Sequence, residues 1–215
     1  NPTENAETTE SVEVAVTEGA VKTGFAVSAT LSAESAGEKD GGSTTDVSLV
    51  AVTVTEEGVI ESCKIDAIQG KVAFSADGKV TSEAGAVLTK KELGDDYGMR
   101  VASPIGKEWD EQVEAIEAYA VGKTVEELKT KAIDEAGMVK DADLASGATI
   151  YMGSFIWGIE AAVNNAVNLG AASGDKLEIT STATTIGSKA ADEEEAGLVQ
   201  VDANAAVVTK RGDVI

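Results

Sequence analysis

The strongest constraint on the fold is the run Val47-Ser48-Leu49-Val50-Ala51-Val52-Thr53-Val54-Thr55, which is rich in β-branched residues and alternates apolar with polar toward its C-terminal end. That period of two predicts a strand with one face toward a core, because successive side chains of a strand point to opposite faces. Glu56-Glu57-Gly58 then turns the chain into Val59–Asp66, a natural antiparallel partner. A second hairpin is expected where Val72-Ala73-Phe74-Ser75 meets Lys79-Val80-Thr81 around Asp77-Gly78, a dipeptide suited to the positive φ of tight turns. Val12 to Thr30 also reads as strand. The first third is therefore predicted to be an antiparallel meander.

The core that such strands can build is made of small side chains. Hydrophobic residues form 43% of the 215, enough for a globular chain with a real core, yet aromatics are only 4% and Ala, Val and Gly dominate. The 38 acidic residues against 17 basic ones leave a net charge of -21, which repels nucleic acid and anionic membrane surfaces and suits an exposed, cell-exterior protein. There is no histidine, and the lone Cys63 cannot form an internal disulfide, so cysteine usage leaves the redox compartment open. No apolar run is long enough to cross a bilayer. Without histidine, and with no Ser or Cys beside a plausible base, acid–base or nucleophilic catalysis has poor support.

The middle of the chain changes period. Thr89 to Met99 reads as a charged, glycine-punctuated loop. After Pro104, apolar residues at Trp109, Val113, Ile116 and Tyr119 or Ala120 predict a helix with one buried stripe, ended by Gly122. Thr124-Val125-Glu126-Glu127-Leu128 opens the next helix with a capping box, its inner face formed by Val125, Leu128, Ala132 and Ile133. A third helix is expected over Phe155 to Leu169, with Phe155, Ile159, Ala162, Val163 and Ala166 inward.

The last segment parallels the first. Ala206 to Ile215 lines up with Ala51 to Ile60, and Thr182-Ala183-Thr184 with Ser28-Ala29-Thr30, so the stretch from about Lys176 reads as a second copy of the opening strands packed on the main domain. Two explanations remain open: a boundary inside a tandem protein, or terminal strands that complete a single sheet. The opening residues Asn1 to Glu10 are polar and patternless. They read either as a tether following a removed secretion signal and a lipid-anchored cysteine, or as a frayed terminus. The organisation expected is a tether over 1–21, an α+β domain over 22–173 and a partial repeat over 174–215.

One stretch has the parts for chemistry. Asp143-Leu144-Ala145-Ser146-Gly147-Ala148-Thr149 precedes an apolar helix, and Thr149 offers a secondary hydroxyl with only Gly147 and Ala148 before it. Glycine permits a bend that exposes the threonine. A phosphate on it would lie near the start of a helix, where unpaired N–H groups favour an anion. Asp143 reads as a turn residue whose carboxylate bonds local backbone N–H groups. The plainer reading of Ser146 to Thr149 is a turn and N-cap.

The stretch resembles the Asp-x-x-Ser/Thr-Gly-Ala-Thr acceptor sequence of FMN-binding-domain proteins. The resemblance implies that a dedicated flavin transferase attaches FMN through its phosphate to Thr149. It also implies an α+β fold, a twisted antiparallel sheet with about three helices packed on it. The loop Gly94-Asp95-Asp96-Tyr97-Gly98-Met99 is a loose counterpart of the family's glycine-rich loop, which would place Tyr97, Gly98 and Met99 at the flavin; Tyr97, Met99 and Trp157 read either as ring-lining side chains or, more plainly, as core. The family's second hydroxyl, two or so positions past the acceptor, is replaced by Ile150-Tyr151-Met152, with Ser154 later. The function so implied is that of an extracytoplasmic, lipid-anchored electron carrier passing electrons to surface partners. The alternative is a cofactor-free surface module for binding, adhesion or antigenic display. Asp95-Asp96 and Glu193-Glu194-Glu195 read as solvated loop charge rather than as cation ligands.

Overall fold

A computed structural model describes residues 19–212 and 214–215. Residues 1–18, which hold most of the expected tether and the start of the expected opening strand, lie outside the described residues, while Ala20 and Val21 pair with Ala172 and Ala171. The class is mixed α+β.

The opening meander is a three-stranded antiparallel sheet of β1 (Lys22–Glu34), β2 (Gly41–Val54) and β3 (Ile60–Phe74), with β2 central. β3 is a single strand running through Gly70, where the sequence suggests two shorter ones. The Asp77-Gly78 turn folds the chain back after it, with Phe74 bridging Val80. The apolar stretch Leu49-Val50-Ala51-Val52 is buried on both faces because a layer covers each side of the central strand. Val50, Val52 and Val54 of β2, with Cys63, Ile65 and Ala67 of β3, face the helices. Val47, Leu49 and Ile68 face the other way.

Those three meet a second sheet of β4 (Ala86–Val87), β5 (Lys176–Thr184) and β6 (Asp202–Lys210), contacting Ala183 with Ile179, Val87 and Phe25 around them. The expectation of one twisted sheet is thus corrected to two sheets stacked beneath a helical layer. β5 and β6 pair antiparallel from Lys176↔Lys210 to Thr184↔Asp202.

The helical layer rests on α2 (Trp109–Ala120), which packs on β3, and α5 (Gly153–Asn164), which packs on β1 and β2. Trp109, Val113, Ile116 and Ala120 are all buried, as the 3.6-residue stripe requires. α5 lies close on the sheet because Gly158 has no side chain: a Cβ there would stand 2.7 Å from Val50 Cγ2. The helix stops at Asn164 rather than Leu169. The residues after it run along the edge of β1, where Thr23 N donates to Val167 O at 2.9 Å and Val21 N to Ala171 O at 3.1 Å. Covering a free strand edge satisfies groups that further helix would leave exposed.

Two other expectations change. Thr89 to Met99 is not a loop: α1 (Lys90–Leu93) forms there and continues into a 3₁₀ turn over Gly94–Tyr97. Its cause is a capping box, with Glu92 N donating to Thr89 Oγ1 and Thr89 N to Glu92 Oε2. The helix expected after Thr124 is one short turn, α3 (Val125–Glu127), opened by the expected capping box and widening into a π turn over Leu128–Ala132. Ile133 leaves it in extended conformation to pair with Val139.

Candidate functional site

The stretch Asp143 to Thr149 begins in a short helix, α4 (Ala142–Ala145). Its N-cap is Asp141, whose Oδ1 accepts from Asp143 N at 3.0 Å and Leu144 N at 3.1 Å. The role expected of Asp143 therefore belongs to the aspartate two residues earlier. Asp143 itself is exposed in the first turn, and its main-chain oxygen accepts from the Ser146 hydroxyl at 2.7 Å. Gly147 N and Ala148 N both donate to Leu144 O at 2.8 Å, which closes the turn.

Leu144, Ala148 and Met152 are all buried in the helical-side core. They pin the segment at both ends and leave Thr149 half-buried between them. α5 starts at Gly153, so Ile150, Tyr151 and Met152 separate the threonine from the helix. Of the N–H groups at the start of α5, the two nearest Thr149 in sequence, Met152 N and Gly153 N, are already bonded to Gly137 O at 3.1 Å.

Gly147 is buried rather than open, and it is not among the glycines of positive φ. Its lack of a side chain serves packing. A Cβ at Gly147 would lie 2.7 Å from Ala115 Cβ on α2, so glycine lets the acceptor segment sit against that helix.

The contact that fixes Thr149 comes from a residue the sequence reading passed over. Gln112 of α2 is 1% exposed, and its Oε1 accepts from Thr149 N at 2.9 Å and from Thr149 Oγ1 at 3.3 Å. Its Nε2 donates to Lys107 O at 3.1 Å and Ser103 Oγ at 3.2 Å, and lies 3.6 Å from Met99 Sδ. The signal was present: Gln112 occupies the i+3 position between Trp109 and Ile116 on the apolar stripe of α2, where a polar side chain requires a buried partner.

Gln112 links two of the expected site residues indirectly, Met99 at its amide nitrogen and Thr149 at its amide oxygen. Met99 and Arg100 are held by Glu108, the buried N-cap of α2, which accepts from Met99 N at 2.9 Å and Arg100 N at 2.7 Å. Burial alone would raise the Glu108 carboxyl, but the N–H donors of Arg100, Met99 and Trp109 together hold it below its ordinary value. Gly98 is exposed with φ of 79°, and Tyr97 turns its ring toward Lys90, whose Nζ stands 4.8 Å from the ring centre and 5.4 Å from that of Trp109. Tyr97 and Gly98 share the loop with Met99 without a hydrogen bond to Thr149. Trp157 projects from α5 with 56% of its surface exposed.

The other reactive side chains lie apart from this segment. Cys63 is buried beneath α2, and burial, with Glu117 nearby, pushes its thiol well above the ordinary range. Among the described residues no group of three or more His, Cys, Asp or Glu is placed to hold a metal ion. The described residues include no helix long and apolar enough to cross a membrane. A cleft of about 260 Å³ lined by Phe74, Val80, Lys189 and Leu198 opens elsewhere, between the Asp77-Gly78 turn and the segment leading to β6.

No protein family and no solved structure matches the chain. Over 41 residues it is 54% identical to a chlorophenol reductase from Desulfitobacterium hafniense, a stretch that makes up 19% of this chain and 12% of that protein. The match thus spans about an eighth of the relative's length.

Proposed function

We propose that the chain is an electron carrier of the FMN-binding-domain type, with FMN attached through its phosphate to Thr149. The observation that carries this reading is the presentation of that one hydroxyl. Of the two hydroxyls in the acceptor stretch, that of Ser146 closes the end of α4 on Asp143 O. Thr149 sits half-buried between core anchors, its main chain and hydroxyl both held by a buried amide. A surface threonine in a plain turn needs no such support.

The residues present fit an attached group at this position. Ser146 is exposed and Thr149 half-buried, which leaves a side open to a large partner, while Ala148 and Gly147 pack inward and hold the segment still. FMN, when bound, supplies the one- and two-electron chemistry; this chain supplies position and electrostatics. Met99 reaches the nitrogen end of the Gln112 amide whose oxygen end holds Thr149, and so places a polarizable side chain one residue away from it. The net charge of -21 disfavours an anionic reduced flavin and lowers its potential. The short stretch shared with a protein named as a reductase is compatible with redox work.

The protein would act outside the cytoplasm, held at the surface by a lipid anchor, with a flavin transferase and surface redox proteins as partners. Co-expression with a flavin transferase tests the reading. The product should be yellow, heavier by one esterified FMN, and Thr149→Val should abolish both changes. A colourless product of unmodified mass would leave the cofactor-free surface module instead.

A further inference from the structure

We infer that Gln112 is the positioning residue that presents the Thr149 hydroxyl for esterification; this rests on the reading of Thr149 as the attachment point. The orientation of the Gln112 amide is dictated by its neighbours. On one side stands the Thr149 N–H, which can only donate, and on the other the Lys107 carbonyl, which can only accept. The amide oxygen therefore faces Thr149 and the amide nitrogen faces the 99–107 loop. Ser103 Oγ and Met99 Sδ complete the nitrogen side.

A consequence follows for the hydroxyl. Thr149 Oγ1 stands 3.3 Å from that same carbonyl oxygen and has to donate its hydrogen to it. Its lone pairs then point away from Gln112. Attack on phosphorus uses a lone pair, so the arrangement leaves free the electrons the reaction needs. With Leu144, Ala148 and Met152 buried around it, the oxygen is held in one place before the transferase arrives, which removes orientational entropy from the step.

The step itself balances without any redox change. Thr149 Oγ1 forms a bond to the flavin-side phosphorus of flavin adenine dinucleotide, the phosphoanhydride P–O bond breaks, and the departing adenylate takes the electron pair. As the bond forms the threonine O–H turns from Gln112 to a base of the transferase, which takes the proton, since an amide oxygen is too weak a base to accept it. In the ester the oxygen has no hydrogen left. Its contact with Gln112 Oε1 becomes lone pair against lone pair, while the Thr149 N–H bond survives. The Thr149 side chain should therefore turn away from Gln112 once loaded.

The test follows FMN attachment by intact mass, with purified transferase and flavin adenine dinucleotide, for the wild type, Gln112→Met, Ser103→Ala and Thr149→Val. Gln112→Met removes both bonds to Thr149; loss of the main-chain one, which persists through the step, predicts a loading turnover about five- to tenfold slower, with KM for the dinucleotide unchanged. Ser103→Ala, which leaves the contact to Thr149 in place, should load within about twofold of the wild type. Gln112→Met loading at the wild-type turnover, or a change confined to KM, overturns the proposal. A wild type that never loads refutes the reading of Thr149 instead, which keeps the two failures apart. Should Gln112→Met fail to fold, NMR couplings of Thr149 in unloaded and loaded wild type decide: a change of χ1 on loading supports the proposal, and an unchanged χ1 overturns it.

Discussion

Replacing Gly147 by alanine should displace the acceptor segment from α2, and the size of the effect follows from one contact. The added methyl would stand 2.7 Å from Ala115 Cβ, with Leu144 O at 3.4 Å on another side. Carbon atoms rest about 3.5–4.0 Å apart, so the segment and the helix have to separate by close to an ångström. The segment is anchored by Leu144, Ala148 and Met152, all buried, and yields poorly. Overpacking of this kind costs about 1–3 kcal/mol, less about 0.4–1 kcal/mol gained because alanine has fewer unfolded conformations than glycine. Ala115→Gly removes the opposing methyl and by itself costs about 1 kcal/mol in helix propensity. Combined, the two changes should fall about 1 kcal/mol or more short of their sum, because the clash that one creates the other relieves. Urea unfolding of the wild type, both single variants and the double variant measures this coupling, with m-values equal if the compactness of both end states is kept. Additivity within about 0.3 kcal/mol would refute the packing argument for Gly147.

Two further outcomes are expected. Glu178 has its carboxyl lowered from 4.5 to about 2 by Lys176 and then Lys210. A depressed folded pKa contributes stability that is complete above about 4.5 and is lost as pH falls toward 2, so the gap between wild type and Glu178→Gln should be full at pH 7 and close across that window; a pH-independent gap would contradict the pairing. Cys63, with its thiol raised by burial, should react with a disulfide reagent only as fast as the protein opens, so its labelling should rise with urea in step with unfolding, and rapid labelling of the native chain would show the site open.

Strand and helix type are legible where the side chains of one segment carry the whole signal. Val47 to Thr55, the turn at Asp77-Gly78 and the stripe of Trp109, Val113, Ile116 and Ala120 each impose a period that only one local structure satisfies. The capping box at Thr89-Lys90-Lys91-Glu92 has the same sequence pattern as that at Thr124 to Glu127, but its charged, glycine-containing surroundings mask the helix it starts.

What the linear chain could not disclose is which distant groups come to meet the stretch Asp143 to Thr149. Strand patterns state that a face is buried without naming the layer that buries it, so one sheet was expected where two stack across Val47, Leu49, Ile68 and Ala183. Likewise Gly147 reads as an open bend until Ala115 is placed against it. Thr149 reads as a free hydroxyl until Gln112, 37 residues earlier, reaches it. Those contacts depend on how α2 and the acceptor segment lie across the same core, which no sequence window contains. The sequence by itself determined the residue types and their local periods, because these follow from backbone geometry. Only the tertiary structure decided that a buried amide holds Thr149, because that hydrogen bond exists only once both segments are packed.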